Sequence, residues 1–245
     1  MTIPFPKEHG VWAMLAASII TGAAIAGSFR PMVLSTAAGL SLLFMAKAPL
    51  KSILRNLAGK NSFAWLSAYV LAAVPLLFPL LPHIPAAIAS LAALVTIAVG
   101  PVYVLAMRNR TEMRISSEIP AMAVIALAAP FANAAAGGES SYVMSSIWLL
   151  GLLYYSASSF RVRTVPGSNL LRPALAYYAV LAIGLGIAAA GGKIPALAAI
   201  AFMPLLENAY RTFRPSREKL SLLGRIELVK LALFTALMIA GFVRT

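Results

Sequence analysis

The chain contains no aspartate and no cysteine, and only two histidines. Without cysteine there are no disulfides, no thiolate metal sites and no c-type haem attachment. Without aspartate, seven glutamates are the only carboxylate side chains, set against 20 lysines and arginines. Charge is scarce overall: 11% of the 245 residues are charged and 61% are hydrophobic. So little polar surface cannot cover a water-soluble domain. In a soluble protein the net charge of +13 would suggest a nucleic-acid partner. Here the basic residues crowd the gaps between apolar runs, as they do in loops beside membrane spans, and no nucleic acid is expected.

Nine apolar runs fill most of the sequence: Val11–Phe29, Met32–Leu50, Phe63–Leu81, Ile84–Met107, Ile115–Ala136, Ser141–Phe160, Leu170–Ala190, Ile194–Tyr210 and Ile226–Val243. About 20 residues of helix cross the roughly 30 Å of hydrocarbon, so each run is long enough to span with tilt or a small overhang. Strand-like alternation is missing, and backbone amides in lipid need partners within their own segment, so the spans are helices. The expected fold is an all-α polytopic membrane protein, one integral domain over 1–245, with membrane lipids as partners. Lys7, Lys47, Lys51, Arg55, Lys60, Arg108, Arg110, Arg114, Arg161, Arg163, Arg172, Arg211, Arg214, Arg217, Lys219, Arg225 and Lys230 all fall on one side of this arrangement. Only Arg30, Lys193 and Arg244 fall on the other. The positive-inside rule then puts the N-terminus inside and the C-terminus outside. Ala24-Ile25-Ala26 looks like a signal-peptidase site, but the leader carries Pro4, Pro6 and Glu8 with Lys7 as its only positive side chain. Val11–Phe29 therefore reads as a retained span.

Glycine and alanine fill the spans, notably Leu181–Gly192, which lets helices approach closely where apolar burial gives no driving force. Pro49, Pro75, Pro79, Pro101, Pro130 and Pro204 lie inside spans and are expected to kink them. The interruption expected to open a cavity most clearly is Gly100-Pro101, beside the Arg108–Arg114 loop.

Few polar residues are left to carry chemistry. Glu8 and His9 form an acid–imidazole pair before the first span, suited either to proton transfer at a pocket mouth or to capping that helix at the interface. Glu118, an acid inside the start of a span, is a functional candidate by position, with Arg114 as an alternative structural partner. No spacing signal joins Glu8, His9 and Glu118 into a metal site, and no cofactor is expected. Glu207 and Arg211 form an i,i+4 pair, and Glu227 is expected in the first turn of the last span. Neither repeat halves nor a charged pair deep in the bilayer is legible, which disfavours transport.

Pro6-Lys7-Glu8-His9-Gly10-Val11-Trp12-Ala13-Met14 closely resembles the N-terminal signature of the YwiC-like family of bacterial membrane proteins. Val11 departs from the alanine of that signature. The likeness continues through Tyr155–Arg163 and 203–227, where Leu223-Gly224-Arg225-Ile226-Glu227 introduces the last helix. It implies a multi-pass protein of the bacterial inner membrane and names no reaction. A looser likeness, in the nine helices, the inside N-terminus and the Tyr103…Arg108…Glu118 passage, is to the UbiA prenyltransferase superfamily. That superfamily holds magnesium on a prenyl diphosphate through two aspartate-rich motifs, after helices two and six. This chain has Lys47-Ala48-Pro49-Leu50-Lys51-Ser52-Ile53-Leu54-Arg55-Asn56 at the first place and Ser156-Ala157-Ser158-Ser159-Phe160-Arg161-Val162-Arg163 at the second. No carboxylate stands at either, so the metal-dependent mechanism does not carry over.

Lys47, Lys51 and Arg55, at i, i+4 and i+8, share one helical face if Pro49 only kinks the helix. With Arg161, Arg163 and Ser159 opposite, they could hold a phosphate or diphosphate by charge-assisted hydrogen bonds. The competing reading makes them inner-end cations that snorkel to lipid headgroups. Two function classes follow. One is a divergent, metal-independent transferase or lyase that binds an anionic amphiphile at a cytoplasm-facing basic pocket, with Glu8, His9 and Glu118 as acid–base groups. The other is a non-catalytic lipid- or anion-binding protein, a transporter, or an assembly partner for a membrane complex.

Overall fold

The computed structural model describes residues 6, 9–55, 61–109, 115–163, 170–213 and 220–243. Among these residues every regular element is a helix. They are α1 (His9–Ile25), α2 (Pro31–Met45), α3 (Lys47–Leu54), α4 (Ser62–Leu77), the 3-10 helix η1 (Phe78–His83), α5 (Ala86–Arg108), α6 (Ile115–Ala126), α7 (Ala128–Ala135), α8 (Ser141–Arg163), α9 (Leu171–Ala190), α10 (Ala196–Ile200), α11 (Pro204–Phe213) and α12 (Leu220–Val243). Seven stretches of these are long and apolar enough to cross a membrane, among them Pro31–Leu54 and Ser62–His83 taken through their bends. His9–Ile25 is apolar but shorter, and the α10–α11 pass is interrupted at 201–203. The chain is an all-helical, multi-pass membrane protein.

The interruptions have a common cause. Ala46 breaks α2 from α3 three residues before Pro49, Leu127 breaks α6 from α7 three before Pro130, and the turn that ends α10 begins three before Pro204. A proline has no N–H for the carbonyl four residues back, and its ring crowds that carbonyl, so the helix gives way in the turn before it. Likewise α4 passes into the 3-10 helix at Phe78, just before Pro79. Gly100-Pro101 does not follow: α5 runs unbroken from Ala86 to Arg108, contrary to the interruption expected there. Pro101 lies on an exposed side of α5, where Ile97, the residue whose carbonyl loses its partner, is 73% exposed. A helix can bend there without striking a neighbour.

Packing centres on α6, α7 and α8, whose spans are the most buried of the seven, 61% for Glu118–Ala135 and 56% for Ser141–Arg161. The closest approach is between α1 and α7. A Cβ added at Gly22 would overlap the Ala129 carbonyl oxygen, and the Gly22 carbonyl accepts a 2.9 Å bond from Asn133 Nδ2. Side-chain hydrogen bonds join the central helices, as bundles in lipid require. Tyr155 Oη lies 2.7 Å from Ser18 Oγ and donates to Met14 O, tying α8 to α1. Tyr177 and Tyr178 donate to Leu153 O and Ala157 O, tying α9 to α8, and Trp148 Nε1 donates to Ala123 O on α6.

Consecutive helices usually pack together, but α4 and α5 do not pack along their lengths. Below η1, α4 rests on α2 and α3, whereas α5 rests on α6, α8 and α3. Only 17% of the Ser62–His83 span and 11% of the Ala86–Arg108 span are buried. Midway along α5, Val95 packs with Ala123 and Leu127, and toward the ends of α4 and α5 other elements bridge the two helices. At one end Ile88 packs with Leu80, Val33 and Ala134, and at the other α3 reaches α5. The end of the bundle that holds Lys47 and Arg163 is called the basic end below. At the opposite end a cavity of about 670 Å³ is lined by Asn133, Glu139, Tyr142, Lys193 and Phe242 among others.

Candidate functional site

At the basic end, α3 begins at Lys47 because Pro49 has broken the preceding helix. The Lys47 ammonium lies 5.7 Å from the centre of the Phe44 ring on α2 and 5.9 Å from that of Tyr103 on α5. These are cation–π distances, and they place the charge between α2 and α5. Trp12 of α1 meets Phe44 edge-on at 4.7 Å, which extends the aromatic wall. Lys51 lies one turn on within α3. Arg55 caps that helix and its Nε donates a 3.1 Å bond to the Met107 carbonyl in the last turn of α5, where a cation is favoured by the exposed carbonyls. Thus Lys47 and Arg55 both face α5, at Tyr103 and Met107.

Arg161, Arg163 and Ser159 stand at the end of α8. Arg161 and Ser159 are buried. Arg163 Nε donates to both Glu118 oxygens, at 3.2 and 3.4 Å, and Nη2 to Oε1, a fork that ties α8 to the first turn of α6. Arg163 is thus the partner of Glu118 in the structure; Arg114, the alternative partner, lies outside the described residues. The two halves of the basic cluster stand on helices that do not pack on each other but share a neighbour: α3 packs on α2, α4 and α5, and α8 on α6, α7, α9 and α11, with α5 touching both. His9 opens α1 and is exposed, and Trp12 Nε1 donates to the Pro6 carbonyl beside it. Glu8 lies outside the described residues.

The sequence reading missed a buried ionic network on α8, α11 and α12. Lys230 is 7% exposed, roughly 15 Å along α12 from Leu220 at 1.5 Å per residue. Its ammonium meets Glu207 Oε2 at 2.8 Å, Glu227 Oε1 at 3.2 Å and Asn208 Oδ1. Ser158 donates to the other Glu227 oxygen at 2.6 Å, and Arg211 pairs with Glu207 as its i,i+4 spacing suggested. One expectation is corrected here. Glu227 is not in the first turn of the last helix, because α12 starts seven residues earlier, at Leu220. Lys230 had counted only as one more cation on the basic side. The available signal was the i,i+3 spacing of Glu227 and Lys230 on an otherwise apolar helix.

A family model described as YwiC-like protein matches residues 5–133, just over half of the chain. The chain belongs to the YwiC-like family. No curated protein and no solved structure matches it, and the likeness to the UbiA superfamily gains no support from either comparison. The YwiC-like match takes in Glu8, His9, the Lys47 face and Glu118, and ends at the buried Asn133 that holds α7 to α1. Arg161, Arg163 and the Lys230 network of this YwiC-like chain lie beyond it.

Proposed function

We propose that this YwiC-like protein crosses the bacterial inner membrane nine times in a UbiA-like arrangement, N-terminus inside, and binds an anionic amphiphile at its cytoplasmic, basic end. The observation that carries the reading is the separation of α4 from α5, with Lys47 on α3, the helix that touches both, between Phe44 and Tyr103. An acyl or isoprenoid tail fits between two helices that face lipid. A phosphate or diphosphate head then meets Lys47, Lys51 and Arg55, with Arg161 and Arg163 on the far wall. Glu8, His9 and Glu118 are the acid–base groups available if the ligand is also processed. The head is held without magnesium: both places that resemble the aspartate-rich motifs carry cations, and an anion needs no bridging metal to pair with a guanidinium.

The test is binding of a long-chain phosphorylated amphiphile to the protein in nanodiscs. Binding is expected to survive chelator, to weaken with salt as partly exposed pairs are screened, and to fall in Lys47→Ala and Arg163→Ala. Lys47→Asp should bind more weakly than Lys47→Ala, because repulsion replaces a lost attraction. Strict magnesium dependence, or indifference to the Lys47 and Arg163 changes, would leave these cations as orientation signals and end the proposal.

A further inference from the structure

Two chain connections meet at the end of the bundle away from Lys47. Gly137, at φ 92°, turns the chain out of α7, and Gly192, at φ 66°, turns it out of α9. Residues with a Cβ seldom adopt such angles, and glycine after a helix is the usual way to make these turns. The Tyr142 hydroxyl donates to the Lys193 carbonyl and ties the start of α8 to the second connection. Residues of both connections line the cavity of about 670 Å³. Sites for small molecules are of that size, roughly 300–1,000 Å³.

The polar groups of this cavity divide by charge. Glu139 and Asn133 line it from α7 and the connection to α8, and Lys193 lines it from the connection between α9 and α10. Glu139 and Lys193 are exposed, and among the described residues neither side chain makes an ion pair, with the other or with a third group. Asn133 is only 2% exposed. Its Nδ2 donates to the Gly22 carbonyl, which fixes the sense of the amide. No donor among the described residues reaches its Oδ1, which lies against Gly138, itself part of the lining. One side of the cavity therefore offers two open acceptors, one of them anionic, and the other side offers an ammonium.

We propose that this cavity binds a zwitterion with a primary ammonium at one end and a phosphate at the other, the phosphoethanolamine group. The ammonium donates to Glu139 and to Asn133 Oδ1, and the phosphate meets Lys193. An amide oxygen buried as deeply as that of Asn133 needs an N–H donor. The quaternary ammonium of phosphocholine has none, so the site discriminates between the two headgroups. Ile25, Val143 and Phe242 supply apolar lining beside the polar groups, which suits the carbon skeleton of such a molecule. Phosphoethanolamine can arrive as a free compound or as the headgroup of a lipid, and the experiment separates these sources. The site lies at the opposite end from Lys47 and does not depend on the amphiphile proposed there.

The experiment is thermal unfolding of the purified full-length protein in a non-ionic detergent, with O-phosphoethanolamine or a short-chain phosphatidylethanolamine titrated in. The midpoint temperature should rise saturably with the lipid, and not with phosphocholine or short-chain phosphatidylcholine at equal concentration. A rise with the lipid alone assigns the site to a membrane headgroup, and a rise with O-phosphoethanolamine as well assigns it to any molecule that carries the group. Glu139→Gln and Lys193→Gln change exposed side chains, so both variants should fold. In each, half-saturation should move to about tenfold higher concentration or beyond, as loss of one hydrogen bond to a charged group implies. No saturable rise with either probe overturns the inference. So does an equal rise with the phosphocholine compounds, or a rise that either variant leaves unchanged.

Discussion

Lys230 illustrates why a charge cannot be placed by its neighbours in sequence. Beside Arg225 it reads as one more cation on the basic side, yet its side chain is enclosed by Glu207, Asn208 and Glu227. Removing one member of such a pair leaves an uncompensated buried charge. Lys230→Ala is expected to cost about 3–5 kcal/mol of stability, read as a lowered unfolding midpoint in detergent. Lys230→Met combined with Glu227→Gln should lose less than Lys230→Ala, since the partner carboxylate is neutralised too. Equal stability of Lys230→Ala and wild type would mean that the ionic network contributes nothing. The Glu118–Arg163 pair makes the same point about legibility. Glu118 was recognisable as a candidate from its place at the start of a span, whereas its partner, 45 residues away, depends on how α6 and α8 pack.

At the scale of elements the sequence was informative wherever a local rule acts. Apolar length marked out the helical passes, and proline chemistry foretold bends at Pro49, Pro130 and Pro204, since both depend on a few adjacent residues. The same rule failed at Pro101 because tertiary surroundings decide how a helix absorbs a proline. The start of α12 was misplaced because Ser221, Gly224 and Arg225 interrupt the apolar pattern and mask a helix that begins before the apolar run. The α1–α7 contact was not legible at all, since one glycine among 16 carries it. Gly22→Ala would press a methyl group into the Ala129 carbonyl, and overpacking of this kind costs about 1–3 kcal/mol. Gly10→Ala, where no atom lies within 4 Å of the added Cβ, should change the unfolding midpoint far less. A Gly22→Ala midpoint no lower than that of Gly10→Ala would show that the two helices can separate without loss.

For the whole molecule, the distribution of charge and the packing of helices are independent sources of information. The charge asymmetry, 17 basic residues against three, predicts an orientation without any knowledge of contacts. It leads to the expectation that single cysteines at Lys60, Arg110, Arg163 and Arg217 stay unlabelled by an impermeant reagent in intact cells, while one at Glu139 is labelled. Labelling at 60 or 110 would reverse the orientation. Packing supplies what composition could not, the parting of α4 and α5, because both helices are apolar all round and nothing in their sequences says which side meets protein.

That parting changes what counts as the inside of this protein. Only 17% and 11% of the α4 and α5 spans are buried, so in a bilayer acyl chains would fill positions that side chains fill elsewhere in the bundle. Lipid would there be a component of the packing and not only its surroundings. The thickness and composition of the membrane are therefore expected to act on these two helices as core substitutions act on α6, α7 and α8.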